Sequence, residues 1–502
     1  MAVSTAEYDV VVLGAGNAAL CAALAARERG ARVLVVEKAP QDERGGNSAF
    51  TGGLFRFPFE SAAAFPPLLP HYSAEELAAV EIPAYPRASF EADLERVTEG
   101  LSDPLLVGLL LDNAYATMRW LTERGVRWML ATGRQAFRVG EKHHFFGNLI
   151  LEANGGGRGL SDREFELAEQ AGIDIWYDCK PTALCLSPVG AVEGVEVRRP
   201  GAASQLVAAG SVVLACGGFE ANTEMRSRYL GPDWELAKVR GSRFNTGDGI
   251  RLALEAGAQS FGHWSCAHAV QWDLLAPPTG NLEIGDLYQK HSYPLGIMVN
   301  KRGERFVDEG ADLRNYTYAK YGREVLRQPE RTAFQIFDRK TVPLLRDEYR
   351  IREATRARAN TIAELADELT IDAAGLVETV DRYNAAVQPG TFNPAILDGL
   401  HTSGLTPPKS NWALKIDEPP FEGYAVTCGI TFTFGGLRID DECRVQDTES
   451  RPIPGLYAAG EIVGGLFYHN YPGGSGLMAG ATFGRLAGGH AAKRAVGRQP
   501  AP

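Results

Sequence analysis

The sequence predicts an α/β protein whose main domain is discontinuous and carries an inserted α+β capping domain. Three observations predict it. A strand–turn–helix–strand pattern opens the chain at Tyr8–Glu37. Apolar runs ending in glycine recur at 211–218 and 455–461. Between them, from about 263 to 430, the composition shifts toward aromatic and charged residues with helical patterns. The expected divisions are 1–262, 263–430 and 431–502, the first and last forming one domain.

Tyr8–Leu13 has the length of a buried strand. Gly14-x-Gly16-x-x-Ala19 follows, then an alanine-rich segment closing near Gly30, then the apolar run Arg32–Val36 ending on Glu37. Gly14 permits a tight turn, Gly16 lets a pyrophosphate approach a helix N-terminus, and Ala19 keeps that helix close to the sheet. Glu37 is placed to accept hydrogen bonds from ribose hydroxyls. These residues point to a dinucleotide, either FAD or NAD. A second glycine-rich loop, Arg44–Gly53, follows soon after and favours FAD, because it can track a long cofactor toward a ring system. The main domain is therefore expected to be a Rossmann-like FAD-binding domain.

Residues 57–86 are dense in proline and read as irregular surface, a candidate lid. Residues 104–130 look helical, and Gly155–Gly159 precedes an amphipathic helix over 162–171. A β-rich patch runs from Lys180 to about 215 and ends in Cys216-Gly217-Gly218. Residues 245–260 read as a loop and a helix. In the insert, Thr361 and Glu364 form a capping box, and Asp372 caps the next helix. The strand pattern resumes at 436–440 and at Gly455–Glu461, ending on Gly460.

Composition bounds the function. The apolar fraction of 45% and charged fraction of 23% are those of a soluble globular chain. No run approaches the ~18 apolar residues of a membrane span, and Met1–Leu13 lacks the pattern of a secretory leader. A net charge of −11 without a basic block argues against nucleic acid. Seven cysteines without a CxxC pair argue against a disulfide framework, a metal site and a ferredoxin-type cluster. The expected setting is cytoplasmic.

The segment HNYPGGSGLMAG at 469–480 opens a helix from about Gly476. Its first amides lack partners within the helix. Under a flavin ring they would donate toward N1 and the C2 carbonyl, and the helix dipole favours the electron-rich ring. Gly480 and Gly484 read as spacing for close packing on the sheet. Gly473, Gly474 and Gly476 let a flat ring lie on backbone.

YDVVVLGAGNAAL, RGGNSAFTGG, ACGGFEAN, GDGIRLALEAGA, GIMVNKRGERFVDE, FGGLRID and GLYAAGE resemble the fumarate reductase/succinate dehydrogenase flavoprotein superfamily over nearly the whole chain. GNAALCAALAARERGARV, HSYPLGIMVNKRGERFVDEGADLRNYTYAKYG, GITFTFGG and NYPGGSGL are similar to tricarballylate dehydrogenases. The resemblance implies an FAD enzyme that removes two hydrogens from adjacent carbons of a small polycarboxylic acid, hydride passing to flavin N5. It also implies electron transfer to a separate iron–sulfur or quinone-linked acceptor. Expected cofactor contacts are Gly14, Gly16, Asn17, Ala18, Glu37, Lys38, Gly46, Asn47, Ser48, Thr51, Gly52, Gly53, Thr182, Cys216, Gly217, Gly460, Glu461, Ser475, Gly476 and Leu477.

The arginine that moves the proton in fumarate reductases best matches Arg314, with Tyr316 and Tyr318 as nearby phenols that could take the role. The family's carboxylate-binding histidine falls near His268. Its second histidine is replaced by Phe432, and its clamping arginine by Tyr471 in NYPGG. Tyr-Pro-Gly is similar to 3-ketosteroid dehydrogenases, where the tyrosine hydrogen-bonds a ketone. The substrate contacts expected for an acid are Arg56, His268, Lys290, Thr433, His469 and Tyr471, with His291 and Tyr288 as further polar candidates. Two alternatives stay open: a ketone α,β-desaturase using Tyr471, and a flavin electron-transfer subunit without its own substrate.

Overall fold

The computed structural model describes residues 6–497; residues 1–5, read above for a leader, and 498–502 lie outside the described residues. The main sheet has eight strands. Ala6–Leu13 pairs in parallel with Val33–Val36 on one side and with Gln205–Leu214 on the other. Val33–Val36 continues to Asp174–Trp176, and Gln205–Leu214 to Pro452–Ala458, both in parallel. An antiparallel extension, Lys180–Leu186 and Val192–Arg198, completes one edge. Val10–Leu13, Val33–Val36 and Val212–Leu214 are almost fully buried, as expected of parallel strands covered on both faces. The chain leaves this sheet after residue 214 and returns at 444, so the main domain is discontinuous, as the sequence predicts.

The intervening chain builds a second, six-stranded sheet. Its frame is the antiparallel pair Ser260–Asp273 and Phe421–Leu437. Ala333–Phe337, Ile297–Asn300, Arg356–Ala359 and Lys238–Val239 add to it. Positions 262 and 430, where the divisions were expected, fall inside the two long strands. Both caps of the insert form as expected: the Thr361–Glu364 capping box is complete, and Asp372 accepts from two amides.

Three local expectations are corrected. The 104–130 segment is a helix only over Pro104–Glu123; Gly125 turns the chain with φ +91, and Trp128–Leu130 is a strand. The helix expected over 162–171 begins earlier, at Gly156, with Gly155 in the left-handed region before it. The glycines there serve close approach, since a Cβ on Gly157 would lie 2.2 Å from the Ser48 carbonyl oxygen. The proline-dense segment is irregular but is no free lid, because Phe57, Phe59, Phe65, Leu68 and Leu69 are all core residues.

The C-terminal helix Ser475–Val496 starts where the sequence places it, but its glycines face a helix rather than the sheet. It lies along Asn17–Glu28. A Cβ on Gly484 would come 2.3 Å from the Ala18 carbonyl oxygen, and one on Gly488 2.0 Å from that of Ala22. The backbone-to-backbone contact leaves no flexible side chain to yield. Gly488→Val is expected to destabilise the protein by about 1–3 kcal/mol and to lower its melting temperature, measured by calorimetry on the FAD-loaded protein. Among the described residues, no helix is long and apolar enough to cross a membrane.

Candidate active site

One long cavity runs between the two sheets. At one end it is lined by Gly14–Ala18, Val36–Lys38, Pro181, Ala215–Gly217 and Phe244–Asp248. Its middle is lined by Gly46–Ser48, Thr51, Gly52, Ala459–Glu461, Gly473, Gly474, Gly476 and Leu477, and its far end mainly by side chains of the insert.

The first part suits a dinucleotide. Two helices, of 12 and 22 residues, begin on the cavity with glycine N-caps, Gly16 and Gly474, that supply no side-chain cap. Their free amides and dipoles call for anionic or acceptor groups. At the first of these ends Asn17 N donates to Ser48 Oγ at 3.0 Å, which docks the second glycine loop on the first. Glu37 is 7% exposed at the far end of this groove; burial pushes its carboxyl up, and amides of Ala39, Ala15 and Lys38 pull it down. Lys38 Nζ reaches Asp248 at 2.8 Å and Thr246 at 2.5 Å, closing the wall beside Pro181 and Cys216. These residues fit FAD.

Most expected cofactor contacts line the cavity: Gly14, Gly16, Asn17, Ala18, Glu37, Lys38, Gly46, Asn47, Ser48, Thr51, Gly52, Cys216, Gly217, Gly460, Glu461, Gly476 and Leu477. Asn47 also acts as a strut. Its amide donates to Glu220 and to the Thr431 carbonyl, both at 2.6 Å, and its oxygen accepts from Ser242 N. Gly53, Thr182 and Ser475 lie off the cavity wall. Gly53 abuts Gly156 backbone, the Thr182 hydroxyl donates to the Glu196 carbonyl at 3.2 Å with Pro181 taking its place on the wall, and Ser475 is buried inside its helix.

The far end gathers the reactive side chains, although His268, expected as a substrate contact, is fully buried and does not itself line the cavity. His268 and Phe432 are cross-strand partners on the two long strands, and their rings stack 5.1 Å apart. His268 also meets Tyr318 and Tyr471 edge-on, at 5.1 and 4.8 Å. The Tyr318 and Tyr471 hydroxyls share a hydrogen bond. Tyr318 meets the His291 ring at 4.8 Å, and His291 Nδ1 lies 3.4 Å from Arg314 Nη1. Arg314, Tyr471 and His268 thus belong to one contiguous group, with Tyr318 and His291 as its links.

The electrostatics are set by burial. His268 is pushed far down by burial and then by Arg240, and neither ring nitrogen has a partner among the described residues. His291 is pushed down by burial and by Arg314, Arg240 and Arg346. Both imidazoles are neutral near pH 7. Burial raises Tyr318 well above the usual phenol range, with Tyr471 adding to the shift, and raises Tyr471 itself. Arg314 is pulled down by burial and, more weakly, by Arg134. Arg240 and Arg134 share Asp286, at 3.0 Å from Arg240 Nε and 3.1 Å from Arg134 Nη1.

Several expected residues sit elsewhere. The Tyr316 phenol donates to Asp93 at 2.6 Å and faces away from the cavity, so Tyr318 is the phenol of this segment that lines it. Arg56 is fully buried. It donates to the carbonyls of Gly473 and Gly147 at 2.7 Å each and to Tyr85 and Tyr316, which braces the 472–474 turn. Lys290 is also fully buried, held by the carbonyls of Tyr288 and Gln289 and by Asp273 at 3.6 Å. His469 lies outside, against His263 and Glu99. Thr433 does line the cavity, but its amide and hydroxyl are held by Glu461. Sequence reasoning missed Arg134, Arg240, Arg346 and Asp286, which no local motif marks. Arg56→Ala is expected to cost about 3–5 kcal/mol of stability, because it strands several buried acceptors. Thermal denaturation will show this loss, and substrate affinity in the remaining folded protein will be little changed.

A discontinuous α/β domain, an inserted second sheet and a dinucleotide groove ending among tyrosine, histidine and arginine define an FAD-dependent oxidoreductase acting on carbon–carbon bonds. The chain belongs to the FAD binding domain family, whose match spans residues 9–477. It is 29% identical to a fumarate reductase (cytochrome) of Shewanella frigidimarina over 489 residues, 97% of this chain and 77% of that one. It is 27% identical to a 3-oxosteroid 1-dehydrogenase of Mycobacterium tuberculosis, over 97% of this chain and 99% of that one. The fold is similar to the open conformation of a flavocytochrome c3 fumarate reductase, with a TM-score of 0.73 and 27% identity, covering 99% and 79% of the two chains.

Proposed function

We propose that the protein dehydrogenates a small polycarboxylic acid at adjacent carbons, in a reaction of the tricarballylate-to-cis-aconitate type. The observation that carries this reading is the far end of the cavity, which Arg134, Arg240, Arg314 and Arg346 line together with the Tyr318–Tyr471 pair. A carboxylate needs such charged donors at close quarters, whereas a ketone slot would be apolar.

FAD, held by the Gly14–Ala18, Glu37 and Gly474–Leu477 segments, would supply the two-electron acceptor for a hydride leaving one carbon. The residues of this chain manage the rest. Guanidinia hold the carboxylates and neutralise charge that develops on the neighbouring carbon. Arg314 takes the second hydrogen as a proton while passing one of its own to the neutral His291 imidazole, 3.4 Å away. This coupling lets a group that is always protonated at rest serve as a relay. Tyr471 and Tyr318, both neutral, orient a carboxylate oxygen. The inserted segment 263–430 acts as the cap that excludes water and fixes the carbon–hydrogen bond. A separate iron–sulfur or quinone-linked partner would accept the electrons.

A second reading, desaturation of a ketone, draws on the same tyrosine pair, on the aromatic wall of Phe432, Phe434 and Phe467, and on the similarity to a 3-oxosteroid 1-dehydrogenase. A flavin electron carrier without its own substrate fits poorly with a polar pocket built this way. The deciding experiment is anaerobic mixing of the FAD-loaded protein with tricarballylate, succinate and cyclic ketones while flavin bleaching is followed. Bleaching by tricarballylate supports the acid. Bleaching by ketones alone replaces it with the second reading.

A further inference from the structure

The four cavity arginines are not equivalent. Arg240 and Arg134 both pair with Asp286, and Arg134 also has Glu152 at 3.7 Å. By contrast, neither Arg314 nor Arg346 makes an ion pair within 4.0 Å among the described residues. Arg314 has partial partners, donating Nη2 to the Arg134 carbonyl at 2.9 Å and facing His291 through Nη1, while its Nε is buried without one. Arg346 has less. Its backbone amide donates to Ser292 Oγ, but its guanidinium has no hydrogen-bond partner among the described residues. Both guanidinia approach the same ring, Phe146, at 5.7 Å for Arg314 and 5.6 Å for Arg346, and both line the cavity.

Placing two like charges together without a counterion is unfavourable at low dielectric. The nearby carboxylate, Glu348, is 4% exposed and has an unpartnered oxygen, yet it forms no ion pair with either arginine. Burial and then Arg314 push the Arg346 pKa far down, and the charge of Glu348 only partly offsets this. An anion entering between the two would relieve both. Each guanidinium offers a planar fork of donors that matches a carboxylate.

We infer that Arg314 and Arg346, converging on Phe146, clamp one carboxylate of the substrate, and that Arg346 sets the preference for acids bearing a further carboxylate beyond the reacting pair. This rests on the polycarboxylate reading above and assigns a specificity role to a residue that does no proton chemistry. Arg314 serves both the clamp and the relay; Arg346 serves the clamp alone. A succinate-sized acid, with only the two carboxylates flanking its reacting carbons, has none left for this clamp, whereas the further carboxylate of a tricarboxylate fills it.

The test uses the FAD-loaded protein and its Arg346→Gln and Arg346→Lys variants. Dissociation constants for tricarballylate and succinate are read from the visible spectrum of the bound flavin, and flavin reduction is followed anaerobically. Arg346→Gln is expected to weaken tricarballylate about 10- to 100-fold, as loss of a charge-assisted hydrogen bond implies. Succinate should weaken less than about threefold, and the limiting reduction rate should stay within the same factor. Arg346→Lys, which keeps the charge without the fork, should fall between, and it decides the matter if the glutamine variant does not fold. An unchanged ratio of the two affinities in both variants overturns the clamp. If the affinity ratio shifts as expected but neither acid bleaches the flavin, the clamp stands and the dehydrogenase reading falls. If the wild-type protein binds neither acid, both fall.

Discussion

Arg314→Ala is expected to lower the rate of substrate-driven flavin reduction by about 10²–10⁴-fold, the range for loss of a positioned acid–base group, in a protein that keeps its FAD. Arg314 sits on the short helical turn Arg314–Tyr316, just ahead of the helix that starts at Tyr318. It touches the cavity through a guanidinium that is otherwise held by one carbonyl and one neutral imidazole. Removing it takes away a carboxylate anchor and the guanidinium that faces His291. The cofactor groove is built from other segments, so flavin content per polypeptide should be unchanged. Stopped-flow reduction with tricarballylate measures the loss. Reduction within about tenfold of the wild-type rate would remove Arg314 from proton transfer. His291→Gln should give a smaller loss, because the guanidinium can still hold the carboxylate while its proton has no acceptor.

The fold was readable where local chemistry carries it. Gly14, Gly16 and Ala19 between two apolar runs leave one sensible backbone path, and the groove follows it. The tyrosine near the C-terminus was also readable, because glycines that leave backbone bare imply something lying against it. The substrate end was only partly legible. Tyr316 and Tyr318 differ by two positions at a boundary between two helical turns, and sequence spacing alone does not say which phenol faces the cavity. Arg56 and Lys290 carry the charge expected of a carboxylate site, yet both are spent on backbone carbonyls. Arg134, Arg240 and Arg346 come from three separate segments, and only the tertiary fold brings them to one cavity. A composition reading counts arginines but cannot tell a brace from a ligand. That distinction depends on which carbonyls and carboxylates the tertiary fold has already supplied.

Tyr318→Phe and Tyr471→Phe are expected to have unequal effects, and the inequality separates the two candidate reactions. Their hydroxyls are bonded to each other at the centre of the His268, Phe432 and His291 rings. If the substrate is an acid, both phenols orient an oxygen as neutral donors. Each substitution then costs about 1–2 kcal/mol of binding, seen mainly in KM, and Arg314 remains the larger determinant of rate. If the substrate is a ketone, one phenol must polarise the carbonyl and the other must take the α-proton. Loss of either then lowers the rate by about 10²–10⁴-fold. The pH profile adds an independent check. Burial raises both phenols, so their protons stay bound at pH values where an ordinary tyrosine would begin to ionise. A mechanism using them as neutral donors therefore predicts a rate that is flat from pH 7 to about 9 on their account. One needing a phenolate predicts a rise of about tenfold per pH unit across that range, abolished in the phenylalanine variant. Measuring flavin reduction across this window in the wild type and both variants decides between them. The unpaired guanidinia at Phe146 favour the flat profile, because an acid already neutralised by arginine does not need a phenolate to give up its proton.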